Sequence, residues 1–134
     1  MKQVIMLKET KKNKVTNAKD LFKNIKQINI DYTQENVLLS FFDSKMILIN
    51  SEVVFKGGLN SCIIDPKTIF RRALLNNANS LIIAHNHPSN SLSPSVEDKE
   101  VYLKLKHIGE HLDLKVLDSI IFNEEEYYSL GDEM

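Results

Sequence analysis

Residues 85–98, HNHPSNSLSPSVED, hold two of the chain's four histidines one residue apart, followed by a Ser/Pro-rich loop that leads to Ser95 and Asp98. Imidazole nitrogens bind zinc at about 2.0–2.1 Å, and a catalytic zinc site takes three protein ligands and keeps a fourth position for water. His85 and His87 close the apolar run SLIIAH and its exit, so they should project from one face of a strand, about 6.6 Å apart along it. The pair lacks a third ligand. Asp98 is the natural candidate, because a loop containing Pro88 and Pro94 can fold back and present the first turn of the next helix to the strand end. Ser95 and Asp98 also read as the N-cap and an acidic third residue of that helix, which needs no metal. The two readings are compatible, since a capping serine can still turn its hydroxyl towards a neighbouring site.

A second histidine pair competes. HIGEH, residues 107–111, fits the H-x-x-E-H spacing in which two histidines share a helix face with a glutamate base. Gly109, the nearby helix end and the want of a further carboxylate on another helix argue that His107, Glu110 and His111 are solvent-facing residues at a helix terminus. The single cysteine, Cys62, excludes an intrachain disulfide and every zinc site built on paired thiolates, including the P-C-x-x-C of zinc deaminases. It lies in SCIID and reads as a small buried side chain.

The elements that must position these groups follow from periodicity. NAKDLFKNIKQI opens on Asn17 as N-cap and spaces Leu21, Ile25 and Ile28 as one helix face. ENVLLSFFD and KMILINSEVVF are β-rich runs joined by DS, which predicts a hairpin, and SCIID predicts a short strand. Pro66 suits the first turn of a second helix, with Ile69, Ala73 and Leu74 as its buried stripe. SLIIAH is apolar enough for a strand covered on both faces. A third helix is expected from about Ser95 to Glu110, and LKVLDSIIF as a last long strand. A hairpin followed by alternating helices and strands predicts an α/β fold, a single-domain mixed β-sheet flanked by helices.

Bulk properties set outer bounds. At 134 residues the chain has the length of one domain, and 17 basic residues nearly cancel 18 acidic ones. That balance gives no general reason to expect nucleic acid or membrane as partner. Lys8, Lys11, Lys12 and Lys14 form a basic arm over residues 1–16, read as solvated, ahead of a domain over 17–134. No apolar stretch nears the roughly 20 residues that span a bilayer, and no signal-peptide core is visible. A cytoplasmic location is the expectation.

The pattern H-x-H, seven residues, S, two residues, D is matched by His85, His87, Ser95 and Asp98, and it resembles the JAMM signature of JAB/MPN-domain metallohydrolases. Within that superfamily the chain is most similar to the RadC-like proteins. HNHPS, the preceding GGLNSCIIDPKTIFRRALLNNANSLIIA and the following LSPSVEDKEVYLKLKHIGEHLDLKVLD carry the likeness, which extends from about residue 17 to 130. Where the family usually has glycine after HNHPS this chain has Asn90, which tolerates left-handed geometry and can serve the same turn. Where the family commonly has histidine after VLD it has Ser119. RadC-like proteins usually carry a DNA-binding helix-hairpin-helix region ahead of this domain, and only the lysine arm precedes residue 17 here, so nucleic acid gains no support as a partner.

The resemblance implies JAB/MPN-like layering akin to cytidine deaminases, Zn2+ on His85, His87 and Asp98, and a hydrolase acting on an amide, peptide or isopeptide bond of a protein or peptide substrate. It also implies a catalytic glutamate at the start of the first core strand, which Glu35 matches, and a role for Ser95 in binding the oxyanion. Glu52, mid-hairpin, competes for the glutamate role and reads as a solvated residue. The alternative is a non-catalytic RadC-like module, an accessory in DNA repair or mobile-element biology.

Overall fold

The structure is a computed structural model and describes residues 14–57 and 65–133. The strand expected in SCIID, the environment of Cys62, and Lys8, Lys11 and Lys12 of the arm lie outside the described residues.

Asn17 has extended backbone and its side chain accepts from the Asp20 N–H, which starts α1 (Ala18–Ile25). The hairpin forms between β1 (Glu35–Phe42) and β2 (Leu48–Gly57). Its join runs longer than DS: Asp43 Oδ1 accepts from the Lys45 and Ile47 N–H groups, and Met46 takes a φ of 62°. Asp65 caps α2 (Pro66–Leu75), with Pro66 in the first turn where its missing N–H costs nothing. Then come β3 (Ser80–Asn86), α3 (Val96–His111), β4 (Lys115–Phe122), β5 (Tyr127–Ser129) and α4 (Leu130–Glu133). LKVLDSIIF is therefore not the last strand.

The five strands make one sheet in the order β2-β1-β3-β4-β5. β1 pairs antiparallel with β2 and β3, β3 parallel with β4, and β4 antiparallel with β5. β3 is central and every one of its residues is buried, which explains its nearly continuous apolar sequence. Period-two alternation divides the sheet into two packed faces. Val37, Leu39, Phe41, Leu81 and Ile83 meet Ile69, Phe70 and Ala73 of α2 and Tyr102 and Leu105 of α3. Leu38, Phe42, Ile82, Ala84, Ile120 and Phe122 are covered by Leu21, Phe22 and Ile25 of α1, with Val15 buried among them. This is the mixed sheet flanked by helices that the sequence predicts.

The expected stripe of α2 is corrected at one position. Leu74 is 64% exposed and Phe70 is buried instead. At about 100° per residue, Ile69, Ala73 and Phe70 span one continuous face and Leu74 falls beyond its edge.

α3 returns the chain to β4 through a close contact. A Cβ on Gly109 would stand 2.2 Å from the Leu114 carbonyl oxygen, and the Gly109 carbonyl accepts from the Leu112 and Leu114 N–H groups. Glycine lets β4 begin against the last helical turn. The N-terminus of the same helix is thereby held at the carboxyl end of the parallel pair β3 and β4.

Candidate metal centre

The ladder places Val37 opposite His85, with Val37 on the sheet face covered by α2 and α3. His85 therefore projects towards α3. After Asn86 the chain leaves the sheet and turns: the Asn90 N–H donates to the His87 carbonyl at 2.7 Å, and Asn90 has a φ of 66°. Asparagine tolerates this left-handed position, so the turn forms here without glycine. The Asn90 carbonyl in turn accepts from Asn123 Nδ2.

The loop delivers Ser95 as N-cap of α3. Its Oγ accepts from the Asp98 N–H at 3.0 Å, and Asp98 Oδ2 accepts from the Ser95 N–H at 2.8 Å, a reciprocal pair that fixes the carboxylate. The capping arrangement expected from the sequence forms, and the same carboxylate faces both imidazoles. Asp98 Oδ1 is 3.1 Å from His85 Nε2, and Oδ2 is 3.3 Å from His87 Nε2. One ligand atom from each of the three residues lies within 4.8 Å of the others, so the group could hold a metal ion.

The two imidazoles differ in their surroundings. His87 Nδ1 stands 3.0 Å from the Ser91 carbonyl; a proton there donates to that oxygen and leaves the Nε2 lone pair facing Asp98. His85 is buried, and both ring nitrogens lack a hydrogen-bond partner, the approach of Nε2 to Asp98 being outside hydrogen-bond geometry. Burial opposes ionisation of Asp98, but the two imidazoles beside it and the bond from the Ser95 N–H outweigh that cost and hold the carboxyl well below its ordinary range. Asp98 likewise raises the His87 imidazole against the pull of burial, with a smaller contribution from the charge of Glu35.

Glu35 is the first residue of β1, two before Val37, and so lies on the same face of the sheet as His85. It is half-buried. Glu52 is not the solvated residue expected of it: Arg72 clamps it through Nε at 2.7 Å and Nη2 at 2.8 Å, and Asn50 and Asn76 add further bonds. Arg72 holds its carboxyl below the ordinary range despite partial burial. A glutamate in a mid-strand position takes this partner from another element, which sequence spacing does not reveal. Ser119 is buried on β4, opposite Ile83, and its N–H donates to Asp118. His107 and His111 are exposed on α3.

Asn86, which enters the motif only as the residue between two histidines, is buried and hydrogen-bonded to the segment around Glu35. An amide set between two histidines at the end of the apolar run LIIA is the signal for it in the sequence.

Residues 15–134 match the family model of the RadC-like JAB domain. The chain belongs to the RadC-like JAB family. A UPF0758 protein of Staphylococcus haemolyticus is 39% identical over 122 residues, 91% of this chain and 54% of the relative. One from Flavobacterium johnsoniae is 38% identical over 123 residues, 92% of this chain and 54% of the relative. One from Staphylococcus aureus is 38% identical over 122 residues, 91% of this chain and 56% of the relative. The chain thus spans about half the length of the curated relatives it matches. Among its described residues no helix is long and apolar enough to cross a membrane.

Proposed function

We propose that this RadC-like JAB domain is a zinc-dependent hydrolase that cleaves an amide, peptide or isopeptide bond of a protein or peptide substrate. The observation that carries the reading is His85, a buried imidazole whose two nitrogens have no hydrogen-bond partner although a carboxylate stands beside it. An unpartnered buried polar group is costly, and a cation held beside Asp98 would give the Nε2 lone pair a partner. Asp98 Oδ1 stands 3.1 Å from His85 Nε2 and Oδ2 3.3 Å from His87 Nε2, and one ligand atom from each of the three residues lies within 4.8 Å of the others, which supports a shared ion. A ligand set of two imidazoles and one carboxylate also suits zinc and leaves one position open.

Bound zinc would lower the pKa of a water towards about 7 and polarise the substrate carbonyl. In this reading Glu35, on the sheet face of His85, takes the proton of the attacking water and returns it to the leaving amine. The Ser95 Oγ accepts from the Asp98 N–H, so its own proton is free to reach the carbonyl oxygen as negative charge develops. His85 is closed off, whereas His87 and Asp98 keep 21% and 16% of their side-chain surface exposed and mark the side of approach. The superfamily resemblance supports the bond class.

Zinc analysis of protein purified without added metal, paired with a hydrolysis screen on a fluorogenic mixed-sequence peptide library and lysine-isopeptide conjugates, tests the reading. One zinc per chain and a cleaved conjugate are expected, with Glu35→Gln keeping the zinc and losing about 100- to 10,000-fold in rate. Glu52→Gln should leave the rate unchanged within a few-fold. Zinc without cleavage on either panel would favour the accessory module in DNA repair or mobile-element biology. Cleavage unaffected by Glu35→Gln would remove Glu35 from the mechanism.

A further inference from the structure

Asn86 lies between the two imidazole ligands, and alternation along β3 sends its side chain to the sheet face opposite His85. It is 1% exposed. Its Oδ1 accepts from the Asn36 backbone N–H at 2.8 Å, and its Nδ2 donates to the Gln34 carbonyl at 2.9 Å. These two backbone groups flank a single residue, Glu35. One amide side chain therefore grips the main chain on either side of Glu35.

We infer that Asn86 is a positioning residue, a two-point clamp that fixes the backbone of Glu35 relative to the His85–His87 strand end. The inference rests on the reading of Glu35 as the base. An ordinary antiparallel ladder could join β1 to β3 here, but the described pairing ends at Val37 and His85. Beyond that point the amide of Asn86 substitutes for the ladder. It is suited to do so because Asn carries one acceptor and one donor on the same short, planar group, whereas aspartate has only acceptors at neutral pH and a hydroxyl cannot span both backbone groups.

The surrounding bonds make the clamp stiff. Asn36 is itself buried, and its Nδ2 donates to the Asp31 and Gln34 carbonyls and to Asn86 Oδ1. Asp31 Oδ1 accepts from the Thr33 N–H and hydroxyl, closing the preceding turn. The segment entering β1 is thus tied to β3 through buried amides. Because His85 and His87 are the chain neighbours of Asn86, displacement of the ligand strand and displacement of Glu35 are coupled. A base misplaced by about 1 Å can cost on the order of 100-fold in rate, so this coupling has a kinetic reading.

Amide hydrogen exchange on the zinc-loaded wild-type chain gives the first test. The Asn36 N–H should be protected to a degree comparable with the Leu38 and Ala84 amides of the central strands; exchange at the speed of an open loop would overturn the clamp without any variant. Asn86→Ala should then raise exchange at Asn36 at least about tenfold while leaving one zinc per chain, and on a fluorogenic peptide cleaved by wild type should lower kcat about 10- to 100-fold with KM unchanged. Ile25→Val, a core truncation on α1, controls for lost stability and should leave kcat as it is. Loss of zinc in Asn86→Ala, or an unchanged kcat with Asn36 exposed, would overturn the positioning role. Failure of the base reading looks different: Glu35→Gln would then cleave as fast as wild type, whatever exchange at Asn36 showed.

Discussion

The chain contains two histidine pairs with nearly the same ring separation. The ring centroids of His85 and His87 are 5.0 Å apart, and those of His107 and His111 are 4.9 Å apart. Distance between imidazoles therefore does not distinguish them. The first pair stands at the end of a buried central strand, with a carboxylate held across both Nε2 atoms by a helix cap. The second stands on the outer face of a helix in water, and His111 Nδ1 is spent on the His107 carbonyl one turn back. Glu110 is exposed beside it. Among the described residues only the first pair meets a third ligand-bearing group. What turns spacing into a candidate site is desolvation together with a third residue brought in from another element.

Removal of a ligand should break the comparison most severely. His85→Ala, or Asp98→Ala, should reduce the zinc found in purified protein from one per chain to near none, whereas the double variant His107→Ala with His111→Ala should retain it in full. A double variant that loses half or more of its zinc while remaining folded would mean that the exposed pair is the metal site. Zinc retained by both single variants would mean that the buried cluster is not.

Ser95→Ala offers a finer cut, because it removes the device that aims the third ligand while leaving every ligand in place. Loss of an N-cap side chain costs about 0.5–2 kcal/mol of stability, and the denaturant midpoint should fall accordingly. Asp98 loses one partner of the reciprocal pair and keeps its bond from the Ser95 N–H, so zinc affinity should weaken about tenfold without being lost. Zinc titration against a competing chelator measures this. An unchanged affinity would show that the cap and the metal site are independent uses of the same residues.

Much of the site was legible because its parts are close in sequence. The H-x-H spacing, the proline-containing loop and the cap at Ser95 all lie within residues 85–98, where local rules about strand faces and helix starts apply. Central placement of β3 followed from its apolar composition. Groups whose roles depend on distant partners were not legible. Glu52 gave no sign of Arg72, twenty residues on; Leu74 was assigned to a stripe whose edge is set by packing. β5 and α4, three and four residues long, are too short to carry a periodic pattern. Asp118 organises them: its buried carboxylate accepts from Ser129 Oγ and the Gly131 N–H. Asn86 escaped notice for the opposite reason, since a motif drawn around its neighbours treats it as filler.

Dependence of stability on pH gives the smallest and sharpest contrast between the pairs. The Asp98 carboxyl is held below its ordinary value in the folded chain, where the imidazoles offset the cost of burial. Its contribution is therefore present above the unfolded value of about 3.9 and lost as pH falls through the lower folded value. The His87 imidazole is raised, chiefly by Asp98. Its contribution is complete below the unfolded value of about 6.5 and is lost as pH rises through the folded one. Metal-free protein should consequently lose stability as pH rises from 5.5 to 8. Zinc reverses the sign, because an imidazole ligand must be unprotonated and binding strengthens as pH rises. Urea midpoints of metal-free and zinc-loaded chain at the two pH values measure both slopes. The His107→Ala, His111→Ala double variant should reproduce the wild-type slopes, and Asp98→Asn should flatten the metal-free one. A metal-free chain more stable at pH 8 than at pH 5.5, with the double variant abolishing the difference, would assign the titration to the exposed pair and dissolve the contrast.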